Sequence, residues 1–249
     1  MEHIAELRNR ILKVIVAIGI AAVVAWFLYQ PLLDLLLGPL RETAPEGSNL
    51  QETLILTGPL QGFQVRIRIT TYTAIALAMP VILWQIWRFV APGLYENERR
   101  YGLAFIGVGT VLFGCGATIA FWTMPKALEF LQTIAGEDNF TPFYTPDSYL
   151  KLIVYMMVAF GIGFEFPLVV TSLNLMGAVS TAALRKNRRY VIVVVAIFVA
   201  VATPSGDPIS MLALTVPMCL LYEVSIVIAR VRDRRLRKAE QAEAAARAR

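Results

Sequence analysis

Charged residues are scarce in this sequence. Only 16% of its 249 residues are Asp, Glu, Lys or Arg, whereas 57% are hydrophobic and the mean hydropathy is +0.61. A water-soluble domain usually carries a larger share of charge and a smaller share of apolar residues. The composition therefore excludes an ordinary soluble protein and indicates a chain whose main solvent is lipid.

Histidine and cysteine are almost absent, which excludes several kinds of site. His3 is the only histidine, so neither a histidine-rich metal centre nor a Ser-His-Asp triad is possible. Cys115 and Cys219 fall in apolar stretches and form no CxxC motif, so redox chemistry is not indicated. The chain also has no GxxxxGKS or GxxxxGKT phosphate loop. We therefore expect no catalytic centre, no metal and no cofactor.

What the sequence does contain is a series of long uncharged apolar stretches. Most of them approach the roughly 20 residues that cross a hydrocarbon layer. Within lipid, a helix satisfies all of its own backbone hydrogen bonds in one such segment. The sequence thus predicts an all-α, polytopic integral membrane protein whose transmembrane domain, residues 1–229, has about six spans. We place them near 12–29, 69–90, 101–125, 150–176, 190–203 and 209–229.

Lys and Arg are distributed unevenly between the two ends of these spans. Eighteen of the 23 basic residues fall around the start of the first span, from the end of the second span to the third, between the fourth and fifth, or in the tail at 230–249. Because basic residues accumulate in cytoplasmic segments, both termini are predicted to be cytoplasmic. The loops at 30–66 and 126–149 are then extracytoplasmic.

The tail at 230–249 is the most basic part of the chain. Between Arg230 and Lys238 it carries six basic residues against Asp233 alone, which suits the headgroups of anionic membrane lipids. A solvated flank of the last span explains the same residues. The net charge of +5 mostly reflects the bias in topology, so no nucleic acid partner is expected.

Two segments depart from a pattern of full-length spans. The segment PLLDLLLGPL at 31–40 is amphipathic, and we expect it to lie on the membrane surface and to end at Pro39. The fifth uncharged stretch holds only about 14 clearly apolar residues and is followed at once by a turn at 203–207. The last two spans are therefore expected to be too short, and to lie under a thinned bilayer or behind other helices.

One acidic residue falls inside a predicted span. Glu165 lies about 16 Å from the cytoplasmic end of the fourth span, at about 1.5 Å per residue, which is the middle of the membrane. An ionised carboxylate there costs on the order of 3 kcal/mol even on lenient insertion scales. Glu165 should therefore face a cavity, bind a partner or stay protonated. The alternative is a neutral, hydrogen-bonded group with a purely structural role.

Acidic residues also occur on the cytoplasmic side, where the topology rule predicts basic ones. They are Glu6, Glu96 and Glu98. Local interactions explain them in part, because Glu6 can pair with Arg10 one helical turn away and Glu98 can favour the N-terminus of the third helix. The other interpretation is that these carboxylates receive cationic groups from a ligand.

Four motifs occur together in the chain: HIAELRNR at 3–10, PVILWQIWRFVAPGLYENERR at 80–100, FGIGFEFP at 160–167 and LRKNRRY at 184–190. Their order and spacing resemble those of the TatC family, the core subunit of the twin-arginine protein translocase, over residues 3 to about 230. The resemblance implies a concave helical bundle in the cytoplasmic membrane of a prokaryote. It also implies a receptor that binds twin-arginine signal peptides of folded proteins and exports these proteins with the proton-motive force. Its expected partners are TatA-like and TatB-like single-span subunits and membrane lipids, in a homo- or hetero-oligomer.

The resemblance further assigns roles to individual residues. It implies that Glu6 and Glu98 recognise the signal peptide, and that neighbouring residues of the same two motifs belong to this site, namely Arg8, Phe89, Pro92, Leu94 and Tyr95. Glu165 matches an acid of the family's fourth span, which implies an intramembrane polar site or a partner contact. Pro39, Arg68 and Asp207 align with family positions of structural or functional importance. The segment at 59–68 departs from the family, because it lacks the acidic or double-aromatic character expected there.

A secondary transporter of a small solute or ion is the main alternative. Six spans, kinking prolines and one buried Glu are compatible with it. It predicts inverted repeats, and the sequence contains no internal repeat. An intramembrane hydrolase is disfavoured, because the chain has no second well-placed buried acid and no Ser/His pair. We therefore expect a translocase subunit and not an enzyme.

Overall fold

The computed structural model describes residues 2–43, 58–90, 102–135, 145–203 and 206–247, and these residues are almost entirely helical. The helices are α1 (Glu2–Phe27), α2 (Tyr29–Thr43), α3 (Gln61–Val90), α4 (Gly102–Ala135), α5 (Pro146–Leu175), α6 (Thr181–Lys186), α7 (Arg188–Ala202) and α8 (Pro208–Arg247). Large apolar side chains are exposed along most of them, as expected of helices solvated by lipid. The predicted all-α membrane fold is confirmed.

Five of the described helices are long and apolar enough to cross a bilayer. These spans are Ala5–Phe27, Gln61–Phe89, Gly102–Ile134, Pro146–Leu175 and Pro208–Arg235. The remaining predicted span corresponds to α7, whose 15 residues reach only about 22 Å. The prediction of a short fifth span is thus confirmed. The prediction that the last span is also short is wrong, because Val224–Ala229 continue the apolar surface of α8 beyond Glu223.

Several helices extend beyond the predicted spans. α3 begins at Gln61 rather than near residue 69, and α4 continues to Ala135 through the first part of the predicted loop at 126–149. Hydropathy identifies only the part of a helix that lies in hydrocarbon. Backbone hydrogen bonds can extend the same helix beyond the membrane into water. For the same reason α8 continues without a break through the basic tail to Arg247.

Helix α2 corresponds to the predicted amphipathic segment, but Pro39 does not end it. The helix continues for another turn to Thr43, whose hydroxyl group donates to the Pro39 carbonyl oxygen at 3.2 Å. Pro39 is buried on the inner face of α2. The Tyr149 hydroxyl group of α5 donates to the Leu36 carbonyl oxygen at 2.7 Å and ties α2 to the bundle. The buried face of α2 outweighs the loss of one backbone donor at the proline.

The core lies where α3, α4, α5 and α8 pack together. The backbones of α4 and α5 approach closely at Gly116, where an added Cβ atom would lie 2.5 Å from the Phe160 carbonyl oxygen. Small residues allow such close helix contacts in membranes. α1 packs mainly on α3. Only 6% of the residues in its most apolar 18-residue segment are buried, against 56% in the corresponding segment of α5. One side of α1 is therefore held by the bundle, and most of its surface is left for lipid or a partner.

Candidate functional site

The cytoplasmic ends of α1 and α3 meet at a group of charged side chains. Glu6 and Arg10, one turn apart on α1, form an ion pair, which confirms the predicted local pairing. The Arg10 guanidinium group also donates to the Arg88 carbonyl oxygen of α3 at 2.9 Å. The residue four positions later is Pro92, which has no N–H, so this carbonyl lacks its usual donor within the helix. Arg10 therefore fixes the start of α1 at the end of α3.

The surroundings of Glu6 are mostly basic. An open groove beside it is lined by Ala5, Glu6, Asn9, Arg10, Lys13 and Arg88, so that one carboxylate faces three cations. The Glu6 side chain is 42% exposed, whereas that of Arg10 is 14% exposed. A ligand can thus reach the Glu6 carboxylate while Arg10 stays packed between the helices.

Three residues of the predicted signal-peptide site, Glu6, Arg8 and Phe89, are among the described residues. Arg8 is exposed on α1, and Phe89 is 37% exposed in the last turn of α3, next to Arg88. Both residues therefore lie at the end of the bundle where α1 meets α3. Pro92, Leu94, Tyr95 and Glu98 lie outside the described residues.

Glu165 is buried inside the bundle. The residue is 7% exposed, and neither carboxyl oxygen has a hydrogen-bond partner among the described residues. Gly109 of α4 makes room for it, because a Cβ atom there would lie 3.0 Å from the Glu165 Oε2 atom and 2.6 Å from a methyl group of Leu83. A buried polar group without a partner is costly. The structure thus places an unsatisfied carboxyl group between α3, α4 and α5.

Arg68 and Asp207 both have structural partners at the extracytoplasmic ends of the helices. The Arg68 guanidinium group pairs with the Asp147 carboxylate at 2.5 Å and donates to the Asp147 carbonyl oxygen at 3.1 Å, which joins α3 to the first turn of α5. Asp207 is fully buried, and its Oδ1 atom accepts from the Ser210 backbone N–H at 2.6 Å. It therefore acts as the N-cap of α8, directly before Pro208.

The predicted residues thus form three separate groups: Glu6, Arg8 and Phe89 at the cytoplasmic face, Glu165 within the bundle, and Pro39, Arg68 and Asp207 at the outer ends. The sequence alone does not predict three contacts at these groups: Arg10 with Arg88, Gly109 with Glu165, and Arg68 with Asp147. Each joins residues distant in the sequence, which no local periodicity reveals.

Apolar spanning helices that enclose a carboxyl group are typical of proteins that move substrates across membranes. Within the described ranges, no group of three or more His, Cys, Asp or Glu side chains is placed to hold a metal ion. A profile of the family described as "Sec-independent protein translocase protein (TatC)" matches residues 2–217. The chain belongs to the TatC family.

Individual relatives agree with this assignment. The chain is 41% identical to the Sec-independent protein translocase protein TatC of Frankia casuarinae, over 94% of this chain and 66% of the relative. It is 37% identical to that of Carboxydothermus hydrogenoformans, over 92% and 91% of the two chains. The crystal structure of the twin-arginine translocase receptor TatC in DDM matches with a TM-score of 0.75 and 31% identity, over 91% of this chain and 99% of that one.

The family confirms the predicted function and location. The chain is a subunit of the twin-arginine protein translocase and a multi-pass protein of the bacterial cytoplasmic membrane. Recognition of twin-arginine signals on folded proteins, and export driven by the proton-motive force, agree with membership of this family. The alternative of a solute or ion transporter is not favoured by these similarities.

Proposed function

We propose that the cytoplasmic ends of α1 and α3, together with residues 91–101 between α3 and α4, form the receptor site for twin-arginine signal peptides. Glu6 and Glu98 would bind the two guanidinium groups, and Arg8, Phe89, Pro92, Leu94 and Tyr95 would shape the site around them. The observation that carries this proposal is the contact of Arg10 with both Glu6 and the Arg88 carbonyl oxygen, which joins the two motifs at one face.

The groove beside Glu6 holds three cations against one carboxylate, so a cationic ligand needs Glu98 and the carbonyl oxygens at the end of α3 in addition to Glu6. The C-terminal end of α3 carries the negative end of the helix dipole and carbonyl oxygens without helical donors. Both features favour the binding of guanidinium groups. The Glu6 carboxylate can accept charge-assisted hydrogen bonds from an arginine of the signal, with Arg10 withdrawing to the Arg88 carbonyl oxygen. Glu98 lies four residues before the start of α4, so the chain keeps it within about 14 Å of Gly102.

A second part of the proposal concerns Glu165. Its carboxyl oxygens have no partner among the described residues, and a polar side chain of another helix would relieve this cost. We assign that role to a single-span subunit of the TatA or TatB type, or to the inserted signal peptide. α1 leaves most of its surface uncovered for further helices of an oligomer, whereas a side chain that reaches Glu165 has to enter between α3, α4 and α5.

The site is tested by site-specific cross-linking of a twin-arginine signal peptide to the full-length protein in membranes. Because each acid supplies one of two charge-assisted contacts, Glu6→Ala and Glu98→Ala should each reduce cross-linking by roughly ten-fold or more, and the double variant should abolish it. Glu96→Ala is the matched control, since it removes an acid two residues from Glu98, and it should leave cross-linking nearly unchanged. Undiminished cross-linking in the double variant would refute the site.

A further inference from the structure

A basic pocket lies at the cytoplasmic corner formed by α6, α7 and α8, away from the α1–α3 site. Its volume is about 430 Å³, and its lining includes the side chains of Arg185, Lys186, Arg188, Glu223 and Arg230. Four cations therefore converge on a pocket that contains one carboxylate. The bias of basic residues toward the cytoplasm accounts for their number. It does not account for their meeting in one concave site.

Most of the charge in this basic pocket is uncompensated. Arg188 pairs with Glu223 at 2.5 Å, which uses the carboxylate of the pocket. In the part of the chain that the structure describes, Arg185, Lys186 and Arg230 have no ion-pair partner. All three are exposed. The pocket therefore offers three cationic side chains without ion-pair partners to an anionic group.

The scaffold beneath the basic pocket is fixed by buried contacts. The Tyr222 hydroxyl group, which is almost fully buried, donates to the Leu184 carbonyl oxygen at 2.9 Å and joins α8 to α6. Leu184, Tyr222 and Ile226 belong to one buried apolar cluster. The Ser180 hydroxyl group caps the first turn of α6. The helices that carry the cations are thus fixed before any ligand binds, which reduces the entropic cost of binding.

The depth of the basic pocket indicates what kind of anion it meets. α7 and α8 are joined at the extracytoplasmic side, and the pair of Arg188 with Glu223 lies about 22 Å from Pro208, at about 1.5 Å per residue along α8. The hydrocarbon core of an ordinary bilayer is about 30 Å thick. The other end of the pocket, at Arg230, lies about 33 Å from Pro208 by the same measure, so the pocket reaches from the deeper Arg188 end to the level expected of the cytoplasmic headgroups. The neighbouring apolar side chains Val193, Val194 and Val227 are about half exposed.

We propose that this basic pocket binds the phosphate group of an anionic phospholipid of the cytoplasmic leaflet. The acyl chains would lie along the exposed apolar surfaces of α7 and α8, and the headgroup would be drawn inward to the cations beside the short helix. An acidic peptide from the cytoplasm fits less well, because it would have to carry its polar backbone to the depth of the hydrocarbon. The site is independent of signal-peptide recognition.

The test uses the full-length protein purified with lipid and measures retained phosphatidylglycerol, against phosphatidylcholine, by native mass spectrometry. Replacing Arg185, Lys186 and Arg230 together by Gln should reduce the retention of phosphatidylglycerol by at least about five-fold, with little effect on phosphatidylcholine. The matched control replaces Arg235, Arg237 and Lys238 of the tail by Gln, which removes the same charge outside the pocket. Because the tail can also attract anionic headgroups, this control should lower retention too, but by clearly less than the pocket variant. Equal losses in the two triple variants would overturn the proposal.

A second variant separates lipid binding from a loss of folding. Glu223→Gln removes the carboxylate that competes for Arg188, so it should raise the retention of phosphatidylglycerol. Arg185→Lys combined with Arg230→Lys keeps the charges and should retain the lipid. Misfolding cannot increase the retention of one lipid, so unchanged or lower retention in Glu223→Gln would contradict a site at this pocket.

Discussion

Asp207 shows how a single side chain sets the start of the last helix. Its carboxylate accepts the Ser210 N–H in a fully buried position, where water cannot replace it. Asp207→Ala should therefore lower the free energy of unfolding by at least about 1 kcal/mol. Asp207→Asn keeps an oxygen acceptor and should retain most of the stability. Thermal unfolding in detergent measures both variants, and equal losses would show that capping is not the role of this residue.

The pair of Arg68 with Asp147 joins α3 to α5 at the outer end of the bundle. Both side chains are about three-quarters covered, so solvent screens them less than a surface pair. A double-mutant cycle with Arg68→Gln and Asp147→Asn should give a coupling energy of about 1 kcal/mol. The exposed pair of Lys126 with Glu129 is the control and should give a smaller value. A coupling no larger than in the control would show that the contact does not stabilise the bundle.

At the scale of helices, α4 offers a test of close packing within one element. An added Cβ atom at Gly109 would lie 2.6 Å from a methyl group of Leu83, whereas at Gly114 it would meet nothing within 4 Å. Gly109→Ala should therefore destabilise the protein despite the better helix propensity of alanine. Gly114→Ala should be neutral or stabilising. Unfolding measurements that give both variants the same sign would contradict the packing around Glu165.

The spanning helices are also the part of the fold that the sequence predicts best. Uncharged stretches locate α1, α3, α4, α5 and α8, because lipid imposes a simple rule on composition. The helix ends are predicted less well. Charged residues such as Arg66 and Lys126 interrupt the hydropathy signal while the backbone remains helical. Pro39 is tolerated inside α2, because the packing of the buried face of that helix stabilises the helical backbone.

At the scale of the whole molecule, the candidate site depends on contacts that span the sequence. The pairing of Glu6 with Arg10 follows from helical spacing and was predictable. The contact of Arg10 with Arg88, 78 positions later, depends on how α1 packs on α3 and leaves no local signal. The same holds for the place of Glu165 beside Gly109. The family resemblance supplies the residues of the site, and the structure supplies the contact that joins two of its motifs.

We propose that this chain recognises the two arginines of an export signal by their guanidinium groups. The most direct measurement is capture of a signal peptide by the full-length protein, with a matched peptide in which both arginines are replaced by lysine. A guanidinium group binds a carboxylate through two parallel hydrogen bonds, which the ammonium group of lysine cannot form. We expect strong capture of the Arg-Arg peptide and at least about ten-fold weaker capture of the Lys-Lys peptide. Equal capture of the two peptides would contradict this proposal.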